Sequence, residues 1–196
     1  IQDHLDLAGL NIALTICFDI WNIAWISDFL KDAGQIQMVL NISASPFHLG
    51  KIKKREEIIS QCAKVFNCAV SYCNLVGGQD ELVFDGRSMF SDSTGKVIAR
   101  AKAFNEDLLI AEVVPNIDGT VQVKPKQSAA SQPASLIDEV YQALVLGTRD
   151  YALKNSFKKV MLGISGGIDS AVCAAIAVAA LGAENVTCLT MPSKFN

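Results

Sequence analysis

Two stretches of this 196-residue chain carry residue types at spacings that can do chemistry. The first is Gly163-Ile164-Ser165-Gly166-Gly167-Ile168-Asp169-Ser170. It follows an apolar run, Val160 to Ile164, and precedes a second, Ala171 to Leu181, so the order reads strand, glycine loop, helix. A glycine pair lets backbone N–H groups approach an anion that a Cβ would hold away. The following helix aims its positive end at the same place. Ser165 and Ser170 add hydroxyl donors. Asp169 would repel a phosphate unless a divalent cation lay between them, so the loop reads as a pyrophosphate site with a metal at Asp169. No lysine follows the glycines, so it is not the G-x-x-x-x-G-K-[ST] loop. The bland alternative is a glycine turn before a buried helix. The second stretch centres on Cys17, at the end of the β-branched run Leu10 to Ile16. Strand ends in α/β folds face the cleft, which suits a nucleophilic thiol; a buried apolar cysteine is the alternative.

The loop resembles the S-G-G-x-D-S signature of the ATP pyrophosphatases. Its surroundings narrow the likeness: Leu146 to Tyr151, Lys154-Asn155, Gly182 to Val186 and Met191-Pro192-Ser193 look like the glutamine-dependent NAD synthetases, almost without a break from Tyr141 to Ser193. That resemblance implies that residues 163–170 bind ATP, with Mg2+ at Asp169. It also implies that the carboxylate of deamido-NAD is adenylated and then amidated by ammonia.

The first two thirds carry a separate likeness. The strand ending at Cys17 is followed by a second strand, Met38 to Ser43, the loop Ala44 to Lys51, a charged helix from Lys53 to Lys64, and Tyr72 to Gly86. This order resembles the nitrilase superfamily of carbon–nitrogen hydrolases, and in particular the glutaminase that precedes the synthetase in the same family. The resemblance makes Cys17 the thiol that attacks the glutamine amide and puts Phe18, Ser45 and Lys51 on the glutamine site. It also implies a glutamate base and a lysine well before the cysteine. Sixteen residues precede Cys17, and none is placed for either role, so the chain reads as an internal segment that lacks the front of this domain. Phe18 stands where the family carries an acidic residue, and an aromatic there is expected to shape the amide pocket by packing.

The elements that must position these residues define an α/β chain. It is expected to hold the C-terminal part of a nitrilase-like αββα sandwich, followed by the start of a Rossmann-like parallel ATP-pyrophosphatase domain. Boundaries are placed at 1–123 for the glutaminase part, 124–135 for a Pro- and Ser-containing linker, and 136–196 for the synthetase part. A strand is expected over Leu108 to Val114, a turn over Asn116 to Thr120, a helix from Leu136 to about Asn155, and hairpin turns at Asp85-Gly86 and Ser93 to Lys96. No internal repeat is visible.

Composition is 51% hydrophobic and 19% charged, with net charge −3. No basic patch with interleaved aromatics occurs, which argues against nucleic-acid binding. The one basic cluster, Lys51 to Arg55, reads at Lys53 and Lys54 as the solvated face of a helix start. Cys62, Cys68, Cys73, Cys173 and Cys188 sit in apolar surroundings and read as buried thiols. With no C-x-x-C and only two histidines, a zinc site is not expected. The longest apolar run, Ala171 to Gly182, is too short for a bilayer, and its alanine content suits a helix packed tightly on a sheet. The reading is cytoplasmic, with glutamine, deamido-NAD and ATP as small-molecule partners and a homo-oligomer implied by the family. Another pyrophosphatase-type amidotransferase, or a non-catalytic truncated piece, are the alternatives.

Overall fold

The computed structural model describes residues 4–126 and 132–192. The chain divides into two compact units: residues 1–76 with 84–132, and residues 77–83 with 133–196.

The first unit is built on a six-stranded sheet. Strand β1 (His4–Leu7) turns at Ala8-Gly9 into β2 (Leu10–Ile16). A 3-10 turn (Cys17–Trp21) and α1 (Ile23–Phe29) then carry the chain to β3 (Met38–Ser43), and α2 (Lys51–Phe66) carries it to β4 (Ala69–Asn74). These two helical crossovers are what permit β2, β3 and β4 to run parallel. The hairpin β5 (Val76–Gln79) and β6 (Leu82–Asp85) intervenes before β7 (Met89–Ser91) and β8 (Val97–Arg100) complete the sheet antiparallel. The strand order is β1-β2-β3-β4-β7-β8. A second hairpin, β9 (Ala111–Pro115) and β10 (Val121–Pro125), turns through Asn116 to Thr120.

Period-two alternation along the strands separates two apolar layers. On one face Ala13, Val39 and Val70 meet Ile20, Ile26, Ile59 and Cys62 from the helical segments. On the other, Leu10, Ile12, Met38 and Ala69 meet Val121 and Val123 of β10. Helix α2 earns its place through a stripe at Arg55, Ile59, Cys62 and Ala63, spaced four, three and one apart, all buried. Full burial of Ile59 alone is worth about 1.5–3 kcal/mol. The helix stops at Asn67, whose left-handed backbone (φ 47°) sends its N–H to Ala63 O.

In the second unit α3 (Leu136–Lys154) begins at Ser135, whose hydroxyl accepts the Asp138 N–H at 3.1 Å. Strand β11 (Val160–Ile164), α4 (Ile168–Leu181) and β12 (Val186–Thr190) form a parallel strand–helix–strand unit, with Val160 opposite Val186. The tip of the β5–β6 hairpin belongs here too. Asp150 Oδ2 accepts the Gly78 N–H at 2.7 Å, and Lys154 Nζ, one helical turn on, donates to Gly78 O. A Cβ on Gly78 would lie 3.2 Å from Gly147 Cα, so glycine is what allows the hairpin so close.

Several expectations need correction. The strand expected over Leu108 to Val114 starts at Ala111 and includes Pro115, because it is registered by its pairing with β10. The charged helix is longer than Lys53 to Lys64, since Gly50 caps it two residues earlier and Asn67 ends it later. Asp85-Gly86 is not a hairpin turn: β6 pairs with β5, through a turn at Asp80-Glu81, while β7 pairs with β4. The Ser93 to Lys96 turn does join β7 to β8, closed by Asp92 Oδ1 accepting the Thr94 and Lys96 N–H groups. Strand β10 runs into the stretch read as linker, and the part of that stretch at 127–131 lies outside the described residues, as does Ser193 of the synthetase-like motif. Cys62 and Cys68 are buried, but Cys73, Cys173 and Cys188 are exposed. Cys73 alternates to the outer side of β4, and the other two sit on a two-stranded sheet and a helix that have little to bury them. For the same reason α4 is not tightly covered: Ala177 is its one buried residue.

Candidate active site

In the first unit the parallel strands β2 and β3 end side by side, with Ile16 opposite Ile42. Beyond Ile16 the chain turns sharply, and Cys17 takes a left-handed backbone, φ 48°. That conformation costs a non-glycine residue about 1–3 kcal/mol and persists only where the surroundings hold it. Here the turn is held by Asp19, whose Oδ2 accepts the Ile16 N–H at 2.8 Å. The Cys17 side chain is half-buried.

Lys51 comes to the same place from the first turn of α2. Its ammonium lies 5.1 Å from the centre of the Trp21 ring, in the turn that Cys17 opens. Burial pushes its pKa below the usual lysine value, and the cations Arg55 and Lys54 lower it further; the Cys17 thiol and Asp85 act in the opposite direction. Lys51 thus packs on the ring of the same 3-10 turn that begins at Cys17. Phe18, expected to pack, instead points outward at 75% exposure.

Ser45 lies in the loop between β3 and α2 and is buried. Its N–H donates to Asn74 Oδ1 at 2.9 Å. Its carbonyl accepts from Arg55 Nη2 at 2.7 Å, and its hydroxyl accepts from Arg55 Nε at 3.3 Å. Arg55 itself is wholly buried and pairs through Nη1 with Asp85 Oδ1 at 2.7 Å. Arg87 Nη1 lies 3.7 Å from the other oxygen of the same carboxylate. Asn74 is fixed in turn: its side-chain amide donates to Gly86 O, and its backbone N–H donates to Ser88 Oγ at 3.0 Å.

This buried network was missed in the sequence. In sequence Arg55 belongs to the basic cluster Lys51 to Arg55, and Asp85-Gly86 reads as a turn. The signal that finds Arg55 is its spacing: it stands four residues before Ile59 on the helix's buried stripe. A second polar chain, also unforeseen, runs beneath the site, with Asn41 Nδ2 donating to Thr15 Oγ1 at 2.9 Å and Ser43 Oγ to Asn41 Oδ1 at 2.6 Å.

In the second unit β11 delivers Gly163 and Ile164 to the loop, and α4 begins at Ile168. The serines shape the loop from within. Ser165 Oγ accepts the Gly167 N–H at 3.3 Å, Ser170 Oγ donates to Gly167 O at 2.9 Å, and the two hydroxyls lie 3.3 Å apart. Gly166 has φ 85°, a conformation suited to glycine, and a Cβ built on it would meet nothing within 4 Å. The space over the loop is open. Gly167, the helix cap, offers no side-chain acceptor, so the first N–H groups of α4 remain available to an anion. Asp169 is exposed in the first turn.

Cys17 thus stands with a left-handed backbone at the end of a parallel strand, and the chain belongs to the carbon–nitrogen hydrolase family, whose model matches residues 2–120. The NAD synthase family model matches residues 140–196. Among curated relatives, the glutamine-dependent NAD(+) synthetase of Synechocystis sp. is 44% identical over the whole of this chain and 36% of its own length. That of Thermotoga maritima is 36% identical over 96% of this chain and 38% of its own. The chain thus spans little more than a third of the length of these relatives. Among solved structures, glutamine-dependent NAD+ synthetase from Acinetobacter baumannii, in complex with ADP, superposes with a TM-score of 0.85 at 39% identity, covering 97% of this chain and 35% of that one.

Proposed function

We propose that the protein carrying this sequence is a glutamine-dependent NAD(+) synthetase. Residues 1–123 form part of its glutaminase, 124–135 the connection, and 136–196 the start of its ATP-binding domain. The observation that carries the reading is Cys17: a left-handed cysteine at a parallel strand end, in a chain where a carbon–nitrogen hydrolase match at 2–120 is followed by an NAD synthase match at 140–196.

In the glutaminase, Cys17 Sγ attacks the carbon of the glutamine side-chain amide. Ammonia leaves, and water then cleaves the thioester to glutamate, so one difficult step becomes two. Lys51 and Ser45 hold glutamine, with Phe18 at the mouth of the site. In the synthetase, the carboxylate of deamido-NAD attacks the α-phosphorus of ATP and expels pyrophosphate. Ammonia then displaces AMP, giving NAD. Activation is required because a carboxylate is a poor electrophile.

Residues 163–170 hold the pyrophosphate. The open space above Gly166, the amides of the first turn of α4 and the hydroxyls of Ser165 and Ser170 fit such an anion. Asp169 fits Mg2+ in the way that ion is commonly held, by one carboxylate together with substrate phosphate oxygens and water. The ion would supply charge neutralisation at the phosphates. The superposed relative was solved with ADP, which supports the use of an adenine nucleotide. A cytoplasmic enzyme is consistent with these metabolites; among the described residues, no helix is long and apolar enough to cross a membrane. Assembly as a homo-oligomer is part of the same proposal.

The test is Cys17→Ala in the full-length protein. Glutamine-driven NAD synthesis is expected to disappear while synthesis from added ammonia persists. Undiminished turnover with glutamine would remove Cys17 from the mechanism.

A further inference from the structure

We infer that Arg55 and Asp85 are positioning residues for the amide substrate: they lock the loop from Ala44 to Gly50 and fix Ser45 so that its hydroxyl is presented as a donor. The inference rests on the glutaminase reading above and deepens it.

The argument starts from what a guanidinium can do. Arginine has five N–H donors and no acceptor. Arg55 spends its donors in three directions: Nη1 on Asp85, Nη2 on the Ser45 and Pro46 carbonyls (2.7 and 3.4 Å), and Nε on the Ser45 hydroxyl. Every polar atom of Ser45 is thereby engaged, since its N–H is already on Asn74. Because the guanidinium can only donate, Ser45 Oγ must accept. Its own hydrogen is left unspent, and it sits in front of a cation. The matching ligand group is an anionic or carbonyl oxygen, such as a carboxylate of an amino-acid substrate. An ammonium group would be repelled there.

Asp85 makes this possible. A guanidinium buried completely is tolerated only with a paired charge. Asp85 is equally buried, and it comes from β6, well separated in sequence from the loop it steadies. The same staple governs Lys51. The loop ends where the Lys51 N–H bonds to His48 O, one helical turn before Arg55. Arg55 therefore anchors both ends of the substrate contact already assigned: Ser45 directly, and Lys51 through the start of α2. A buried ion pair is weak evidence for stability, since well-packed apolar side chains of similar volume often serve as well.

The test uses the full-length protein with Arg55→Lys, which keeps the charge for Asp85 but cannot fork to Ser45. An interaction made equally with bound substrate and transition state appears in KM and not in kcat. The expected result is a rise of at least tenfold in KM for glutamine, with kcat for the glutamine-driven reaction within threefold of the parent. A KM within twofold of the parent overturns the inference. So does an equal fall in kcat and rise in KM accompanied by a lowered melting temperature, which marks a structural role. A second variant, Ser45→Ala, removes only the hydroxyl and leaves Arg55, Asp85 and Arg87 as they are. It should melt near the parent and still show the raised KM; a KM equal to the parent's overturns the inference. Calorimetric titration of glutamine into Cys17→Ala separates the two levels. If Cys17→Ala binds no glutamine, the glutaminase reading fails and this inference falls with it. If it binds, and adding Arg55→Lys leaves the affinity unchanged, this inference alone fails.

Discussion

At the scale of single residues, the local geometry of the candidate groups is legible where it is carried by local order. Ser165 to Ser170 is legible because a strand, two glycines and a helix follow one another in sequence, and the structure places Gly166 in the left-handed region with open space above it. Cys17 is legible as a strand-end thiol, but its left-handed backbone is not, since nothing in Ile16-Cys17-Phe18 demands it. Arg55 and Asp85 were hidden because their partnership spans thirty residues and two element types. Phe18 differs in the other direction: an aromatic after Cys17 suggests packing, and in this chain its ring is exposed. The sharpest residue-scale prediction concerns Asp169. It is the carboxylate of the loop, and it would repel phosphate unless a cation intervened. Asp169→Asn keeps the turn, whose hydrogen bonds run through Ser165, Gly167 and Ser170. The expected cost is confined to adenylation and amounts to about 3 kcal/mol of transition-state stabilisation, as for loss of one preorganised charge contact. ATP–pyrophosphate exchange with deamido-NAD reads it directly; exchange at the parent's rate would overturn the proposed metal role of Asp169.

At the scale of elements, helices were read more faithfully than strands. Helix α3 was expected from Leu136 to about Asn155 and runs Leu136–Lys154, because its period and its Ser135 cap are both written locally. Strand bounds depend on partners elsewhere, so β9 begins three residues late and the Asp85-Gly86 turn dissolves into a strand end. Turns make this dependence measurable. Gly95 and Gly166 share a left-handed φ, 82° and 85°. Around Gly166 a new Cβ meets open space, whereas at Gly95 it would lie 2.5 Å from Ser60 Oγ and 2.7 Å from Ser60 O, on helix α2. Both alanine variants pay about 1–2 kcal/mol for the backbone. Gly95→Ala must also push the β7–β8 turn off α2, at a further 1–3 kcal/mol. Urea denaturation should therefore rank Gly95→Ala well below Gly166→Ala, while Gly166→Ala should be the one that weakens nucleotide binding. Equal stabilities would mean that the β7–β8 turn does not rest on α2 as described.

At the scale of the whole molecule, the central sheet is covered unequally along its strands. On the face that meets β10, three rows cross β2, β3 and β4. Ile12, Met38 and Ala69 form a buried row; Leu14, Leu40 and Ser71 lie one step along; and Ile16, Ile42 and Cys73 form the last. Ile16 is 70% exposed and Ile42 67%, so apolar area grows toward the end of the sheet that carries Cys17. Adjacent exposed β-branched side chains on parallel strands make a contiguous patch, which an isolated polypeptide relieves by self-association. The 196-residue polypeptide produced by itself is accordingly expected to associate in light-scattering measurements at micromolar concentration. Replacing Ile16 and Ile42 together by threonine should reduce that association, because threonine keeps the β-branch and strand preference while adding a hydroxyl toward water. Circular dichroism should show the sheet content retained, since neither side chain contributes to the two buried layers. A parent polypeptide that stays monomeric, or a double variant that associates as strongly as the parent, would mean that this row is not the surface that drives contact.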